Sequence, residues 1–363
     1  MSRLLLFFLL LSIGFLHAQE NEPSFIDVQY FSGTLLRHNK NIANLVREHP
    51  TGFVLSYNRK TYGKKRWQRE YNYPDWGLSF LYEDFNYDVL GKNYGLYLHY
   101  NFYFLNRHLQ FRIAEGVAYN TNPFDIDTNF KNIAYGSSFL ASTYLLLNYN
   151  QANVFRGVGV QGGIGFVHHS NGSFKAPNSG SNAFSVQLGL QYHLDQGAPS
   201  VYEDQEIDLK YSEKIKYNFV VRASYNEGDY YNLGQHPYIV LSAFADKRFS
   251  FKNTIQFGAE VFFAKFLEKE IEYVSIAFPA SKTTGEEDYK RVSLFLGHEF
   301  RLDKLGLVTQ VGYYVYYPYE YETRMYSRVG VKYYFNEKLF VVGTVKTHAA
   351  NAEALAFGLG VRL

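Results

Sequence analysis

Apolar residues alternate with small or polar ones along most of this chain, and this period of two constrains the fold more than any other feature. In segment 96–104 (LYLHYNFYF) the even positions are all apolar, and in segment 355–363 (LAFGLGVRL) the odd positions are. Successive side chains of a β-strand point to opposite faces, so the pattern predicts strands with one apolar face and one face of small or polar residues. We expect an all-β fold.

Residues 1–18 predict a signal peptide, because Arg3 precedes an apolar stretch at 4–16 and a small residue, Ala18, precedes the expected cut. After it, no apolar run is long enough for a membrane helix. Tyr (34) and Phe (32) make the chain 19% aromatic, and it has no Cys and a net charge of only +2. Export, aromatic richness and alternation together favour a transmembrane β-barrel over a soluble secreted β-protein, and the charge gives no indication of nucleic-acid binding.

Sixteen candidate strands can be traced, joined by connections that are mostly long and short in turn. Outer-membrane barrels show this asymmetry, with long external loops and tight periplasmic turns. We therefore expect one integral antiparallel barrel of roughly 14–16 strands over residues 19–363, in the outer membrane of a Gram-negative-type bacterium. Two connections, 61–75 and 195–214, interrupt the alternation. Segment 266–289 is expected to be a solvated external loop.

Polar residues stand on a face that should meet lipid where candidate strand 152–170 ends. Its even positions are largely apolar, and His168 and Ser170 share that parity. The return strand 183–194 is apolar at even positions too, and Asn182 extends this face. Polar groups that face lipid are costly unless they pair with one another, so this placement indicates a function. His169 has the opposite parity and is expected to point into the lumen.

A serine becomes a nucleophile when a neighbouring imidazole takes its proton and a third group orients the imidazole. We therefore interpret Ser170 as the nucleophile, His168 as the base and Asn182 as its partner. Asn171, Gly172 and Asn178, in the following loop, are candidates to support an oxyanion. No cofactor is expected, and no metal site, because His168 and His169 point to opposite faces.

The string HHSNG followed by PNSG resembles the outer-membrane lipid A 3-O-deacylase family. The resemblance implies an acyloxyacyl-hydrolase-like ester hydrolase that acts on lipid A, or lipopolysaccharide, in the outer leaflet. It assigns His168 as the base and Ser170 as the nucleophile, with Asn171 and Asn178 in support. In place of the family's third member, a carboxylate, this sequence has Asn182.

Two alternatives stay open. The sequence also resembles outer-membrane phospholipase A, which shares His-x-Ser-Asn-Gly and has an Asn twelve positions after the Ser, as Asn182 is here; a calcium requirement belongs to this alternative alone. The other is a non-enzymatic porin-like or surface-binding barrel, in which HHSNG is an ordinary polar turn. His348 and Glu353 are interpreted as a lumen cluster rather than as a second site.

Overall fold

The structure, a computed structural model, describes residues 23–38, 41–195, 201–203, 211–349 and 351–363. The expected signal peptide, residues 1–18, lies outside them. The described residues form sixteen antiparallel strands, which confirms the all-β fold class and the strand number. The first eight are β1 (Ser24–Leu35), β2 (Thr51–Arg59), β3 (Asp75–Asp84), β4 (Lys92–Phe104), β5 (Leu109–Asn120), β6 (Phe139–Phe155), β7 (Val158–Ser170) and β8 (Ser181–His193). The others are β9 (Lys216–Asn226), β10 (His236–Arg248), β11 (Asn253–Ala264), β12 (Lys290–Leu302), β13 (Leu305–Tyr316), β14 (Met325–Tyr334), β15 (Leu339–His348) and β16 (Asn351–Arg362).

The sixteen strands close into two eight-stranded barrels, which corrects the expectation of one barrel over 19–363. β1 pairs with β8 along its length, from Phe25 opposite His193 to Leu35 opposite Ala183, and β9 pairs with β16. Alternation along a strand is the same in either closure, so the pattern could not show which strands meet. In the sequence, the charged connection 195–214, which interrupts the loop alternation, separates the strands of the first barrel from those of the second.

The two faces of the wall differ as the alternation requires. In β4, Leu96 and Leu98 point outward, whereas Tyr97 and His99 are buried in the lumen. An eight-stranded barrel is just wide enough for side chains to fill its interior. Charged groups occupy much of that space in both barrels.

Ion pairs in each lumen are fully buried. In the first barrel, Arg112 donates to Asp27 at 2.9 Å and to the hydroxyl of Ser56 at 2.6 Å. In the second, Glu260 accepts from Arg222 at 3.1 Å and from Arg328 at 2.7 Å. These pairs satisfy charges that water cannot reach, and they fill both lumens.

Two local expectations are corrected. The turn placed at residues 150–151 lies instead at Arg156–Gly157, both of which have positive φ, so β6 continues to Phe155. Segment 266–289 is not only a loop, because helix α2 spans Lys265–Ala277. Its buried residues Phe266, Leu267 and Ile271 recur at helical spacing. Phe266 and Leu267 pack with Tyr238 and Phe262 of the second barrel.

The two barrels contact each other at the end of the first barrel that lies opposite the β7–β8 loop. Helix α1 (Arg66–Glu70) lies in the β2–β3 connection, and Trp67 and Tyr71 pack with Leu302 of the second barrel. The hydroxyl of Tyr71 donates to the carbonyl of Arg301, and its ring centroid lies 5.2 Å from that of Phe300. Segment 61–75, the other irregular connection, thus serves as an interface. No helix within the described ranges is long and apolar enough to cross a membrane.

We expect Asp27→Ala to destabilise the first barrel by about 3–5 kcal/mol, because Arg112 would keep a buried charge without its counterion. Urea titration in lipid vesicles, followed by the gel shift between folded and unfolded forms, measures this. Glu268→Ala, which breaks only the exposed pair with Lys265, is the control and should leave the midpoint unchanged. Equal midpoints for the two variants would contradict the prediction.

Candidate active site

His168 and Ser170 end strand β7, and Asn182 lies at the start of β8, where it pairs with His168 across the two strands. Their even parity is the outward one, since Ile164 and Leu188 on the same face are 43% and 71% exposed. His169 points the other way, is fully buried in the lumen, and lies 3.1 Å from a carboxylate oxygen of Glu83. The structure therefore brings the three predicted site residues together on the outer wall and leaves His169 out.

The imidazole of His168 is held by Asn182, with Nδ1 2.6 Å from the amide oxygen Oδ1. An amide oxygen can only accept, so Nδ1 carries the hydrogen and donates it. This tautomer leaves the lone pair on Nε2, the nitrogen that must act as a base. In a Ser-His-Asp triad a carboxylate accepts the same hydrogen bond from the imidazole; here the acceptor is the uncharged amide of Asn182.

The hydroxyl of Ser170 is held by the loop that follows it. Its Oγ donates to Oδ1 of Asn178 at 3.0 Å and accepts from the backbone N–H of Gly172, also at 3.0 Å. Oδ1 of Asn178 accepts a second hydrogen, from the N–H of Asn171 at 2.9 Å. The side chain of Asn171 donates to the carbonyl of Lys175 and so folds the loop on itself. The predicted supporting residues therefore lie around Ser170, the predicted nucleophile.

Gly180 separates the two reactive side chains. A Cβ atom there would lie 3.5 Å from Cε1 of His168 and 3.6 Å from Cβ of Ser170, so both side chains border the same small space. The φ angle of Gly180 is +65°, a conformation that favours glycine. A rotation of Ser170 about its Cα–Cβ bond, away from Asn178, is the motion that would turn its hydroxyl toward His168.

Glu115 and Thr143 extend the polar row across two more strands, and the sequence reasoning missed them. Glu115 on β5 pairs with Thr143 on β6, and Thr143 pairs with His168. Both point outward, and the hydroxyl of Thr143 lies 3.1 and 2.9 Å from the two carboxylate oxygens of Glu115. The pattern that indicated His168, a polar residue at an otherwise apolar parity, also applies to Glu115. This residue is charged and stands between Ile113 and Val117 at the apolar parity of its strand.

The described residues of the corresponding hairpin in the second barrel, up to 349 and from 351, form no such row. His348 ends β15, as Ser170 ends β7, but it faces the lumen and lies 2.8 Å from Glu353. Lys346 and Arg291 bind the same carboxylate. The interpretation of His348 and Glu353 as a lumen cluster is confirmed. Within the described part of the chain, no group of three or more His, Cys, Asp or Glu side chains is arranged to hold a metal ion.

Two family models match the chain, one on each barrel. Residues 51–191 match the model described as lipid A 3-O-deacylase (PagL), and residues 215–363 match the acyloxyacyl hydrolase C-terminal domain (PagL_C). The first match includes every predicted site residue. The division between the two matches falls between the two barrels.

Other comparisons add little. No curated protein matches the sequence. A triple mutant of the Rhodopseudomonas blastica porin is 8% identical over 94% of this chain and 99% of its own, with a TM-score of 0.18. The Acinetobacter baumannii outer membrane protein Omp33 is 8% identical over 95% of this chain and 100% of its own, with a TM-score of 0.19. At such TM-scores, neither similarity bears on the fold or the function of this chain.

If the Glu115–Thr143 pair serves the site, Glu115→Leu should make the barrel more stable and the protein less active. Removing a carboxylate from the lipid-facing wall should stabilise the fold by about 1 kcal/mol. Losing a hydrogen bond to a charged group should lower kcat/KM for ester hydrolysis about tenfold. Urea unfolding in vesicles and an ester hydrolysis assay measure the two effects. Val117→Leu, two residues further along the same strand, is the control; unchanged activity in Glu115→Leu would remove the pair from the site.

Proposed function

Since the PagL model and the PagL_C model each match one of its barrels, the chain belongs to a PagL-like family of outer-membrane lipid A deacylases, and we propose that it is a serine hydrolase removing an ester-linked acyl chain from lipid A. The observation that carries the proposal is the hydrogen bond from His168 to Asn182, beside Ser170, on the outward face of the wall. Because such polar groups are costly in lipid, their convergence there indicates a task.

The proposed first step is attack by Oγ of Ser170 on the ester carbonyl carbon, while Nε2 of His168 takes the hydroxyl proton. The tetrahedral intermediate collapses to an acyl-enzyme, and His168 returns the proton to the leaving sugar oxygen. Water then attacks the acyl-serine, again with His168 as the base, and releases the fatty acid. Asn182 keeps the imidazole in the required tautomer throughout.

Backbone N–H groups near the nucleophile are suited to the charge that develops on the carbonyl oxygen. The N–H of Gly172 already points at Oγ of Ser170. The N–H of Asn171 is bound to Oδ1 of Asn178, the acceptor that also holds Ser170 before reaction. We propose that Asn178 holds the resting serine, and that turning Ser170 toward His168 frees the N–H of Gly172 for the oxyanion.

The location of the site supports a lipid substrate. His168 lies two residues before the end of β7, at the rim of the outward, lipid-facing surface. An ester in the outer leaflet can reach this rim without leaving the membrane. The buried ion pairs that fill both lumens disfavour the alternative of a porin-like channel.

A phospholipase A is the second candidate, and one observation favours it. The amide that orients His168 is an Asn twelve positions after the serine, as in the phospholipase resemblance, and not the carboxylate of the deacylase pattern. Both reactions use the same serine and histidine, so the site chemistry is common to them. The PagL match favours lipid A as the substrate.

We expect Ser170→Ala to abolish acyl release, with a loss in kcat of at least about 10³-fold, since the nucleophile is gone. Mass spectrometry of lipid A and phospholipids from cells that carry wild type or variant provides the measurement. Loss of a hydroxyacyl chain from lipid A in wild type alone supports the deacylase, and lysophospholipid in wild type alone supports the phospholipase. Identical lipids in both strains would overturn both. Ser275→Ala, in helix α2 of the second barrel, where the hydroxyl donates to the carbonyl of Glu272, is the control variant.

Substitutions of Asn182 test the orienting role separately. Asn182→Ala should lower kcat by about 10²-fold or more, because the imidazole loses its fixed tautomer. Asn182→Asp should keep or raise kcat, by about fivefold, because a charge-assisted hydrogen bond stabilises the imidazolium better. Steady-state hydrolysis of purified lipid A measures both. If Asp were as damaging as Ala, an orienting role for this residue would be excluded.

A further inference from the structure

The loop that runs from Ser170 to Asn178 in the first barrel also contacts the second barrel. Five hydrogen bonds join it to the second barrel. The carbonyl of Gly172 accepts from the N–H of Leu355 at 3.0 Å, and the hydroxyl of Ser173 donates to the carbonyl of Ala352. The carbonyl of Phe174 accepts from the side chain of Gln235 at 2.7 Å. The remaining two bonds both involve Glu227.

Glu227 follows strand β9 and is buried against the loop, with 6% of its surface exposed. Its N–H donates to the carbonyl of Ser173 at 3.1 Å. Its carboxylate accepts from the N–H of Ala176 at 2.9 Å with Oε2, and from the N–H of Gly234 at 3.2 Å with Oε1. One residue of the second barrel thus holds two points of a first-barrel loop and ties them to its own connection.

We propose that Glu227 is a positioning residue for Ser170, and that the second barrel is thereby a working part of the active site. The proposal rests on the function proposed above. Ala176 is two residues from Asn178, whose amide oxygen holds both Ser170 and the N–H of Asn171. The path from the Glu227 carboxylate to the nucleophile therefore runs through Ala176 and Asn178.

The strength of the contact follows from its charge and its surroundings. A hydrogen bond from a backbone N–H to a carboxylate is roughly twice as strong as one between neutral groups, and burial keeps water from competing for it. A displacement of about 1 Å at a catalytic group can lower a rate about 10²-fold.

Close packing at Gly172 indicates that the contact is specific. A Cβ atom there would lie 2.5 Å from Cβ of Leu355, and the φ angle of +63° favours glycine. The backbones of the two barrels can approach this closely only because the side chain is absent. Gly172 lies two residues after Ser170, so the interface begins directly beside the nucleophile.

The test compares three variants of the full-length protein: Glu227→Ala, Glu227→Gln and Glu287→Ala. Glu287 is the matched control, because its carboxylate also accepts two backbone N–H groups, but from Thr284 and Gly285 of its own β11–β12 connection in the second barrel. We measure kcat and KM for lipid A in detergent micelles, the rate at which a fluorophosphonate probe labels Ser170, and the thermal unfolding midpoint.

We expect Glu227→Ala to lower both kcat and the labelling rate about 10- to 100-fold, with KM changed less than about twofold. Glu227→Gln should recover part of the loss, since its amide oxygen can still accept from Ala176. Glu287→Ala should match wild type. A purely structural role for Glu227 would lower the unfolding midpoint and the amount of folded protein, but not the kcat of the folded fraction.

The outcomes separate the inference from the proposed function. Wild type that is active and depends on Ser170, with Glu227→Ala indistinguishable from Glu287→Ala in kcat and labelling, overturns the positioning role alone. Wild type that neither hydrolyses lipid nor reacts with the probe at Ser170 overturns the proposed function, and the inference with it. Equal losses in Glu227→Ala and Glu227→Gln, each matched by the fraction unfolded, also overturn positioning.

Discussion

Closure of each sheet into a barrel is the constraint on which the rest of this structure depends. A strand in lipid cannot leave backbone N–H and C=O groups unpaired, so each sheet must return to its first strand. Closing after eight strands leaves a lumen that side chains fill, here with buried pairs such as Arg112–Asp27. No room is left inside for a substrate. Chemistry must therefore lie on the outer wall or in the loops, and the His168 site combines the two.

The outer wall imposes a second condition on any polar group that it carries. Lipid offers no hydrogen bonds, so each polar side chain must find a partner in the neighbouring strand. His168 has Asn182, and Glu115 has Thr143, each pair directly opposed across two strands. Because partners face each other across strands, polar groups on such a wall form rows. This explains why the candidate site extends sideways to Glu115 rather than down the outward face of β7 toward Phe166.

The sequence predicted what depends on neighbouring residues and missed what depends on distant pairing. Parity alone placed His168 and Asn182 on one outward surface and His169 in the lumen, since each strand turns its faces in a fixed order. No residue pattern within β1 or β8 indicates that these two strands pair, so the sequence predicted one barrel where the structure has two. The same reasoning could have found Glu115, a charge at apolar parity. It could not have found Glu227, which lies in a loop and reaches the site only through contacts between barrels.

The two barrels meet at corresponding hairpins, but the polar side chains of these hairpins point in opposite directions, outward in the first barrel and into the lumen in the second. β7–β8 and β15–β16 are each the last hairpin of their barrel, and they touch where Leu355 donates to Gly172. In the first hairpin, His168 and Ser170 point outward. In the second, His348 and Glu353 point inward and form an ion cluster with Arg291. Every charge in that cluster is buried and paired, which favours a fixed arrangement of the side chains that form it. Under the proposed function, a hairpin fixed in this way would support the loop that carries Ser170, and the inward residues of the second barrel would then act on the same site as the outward residues of the first.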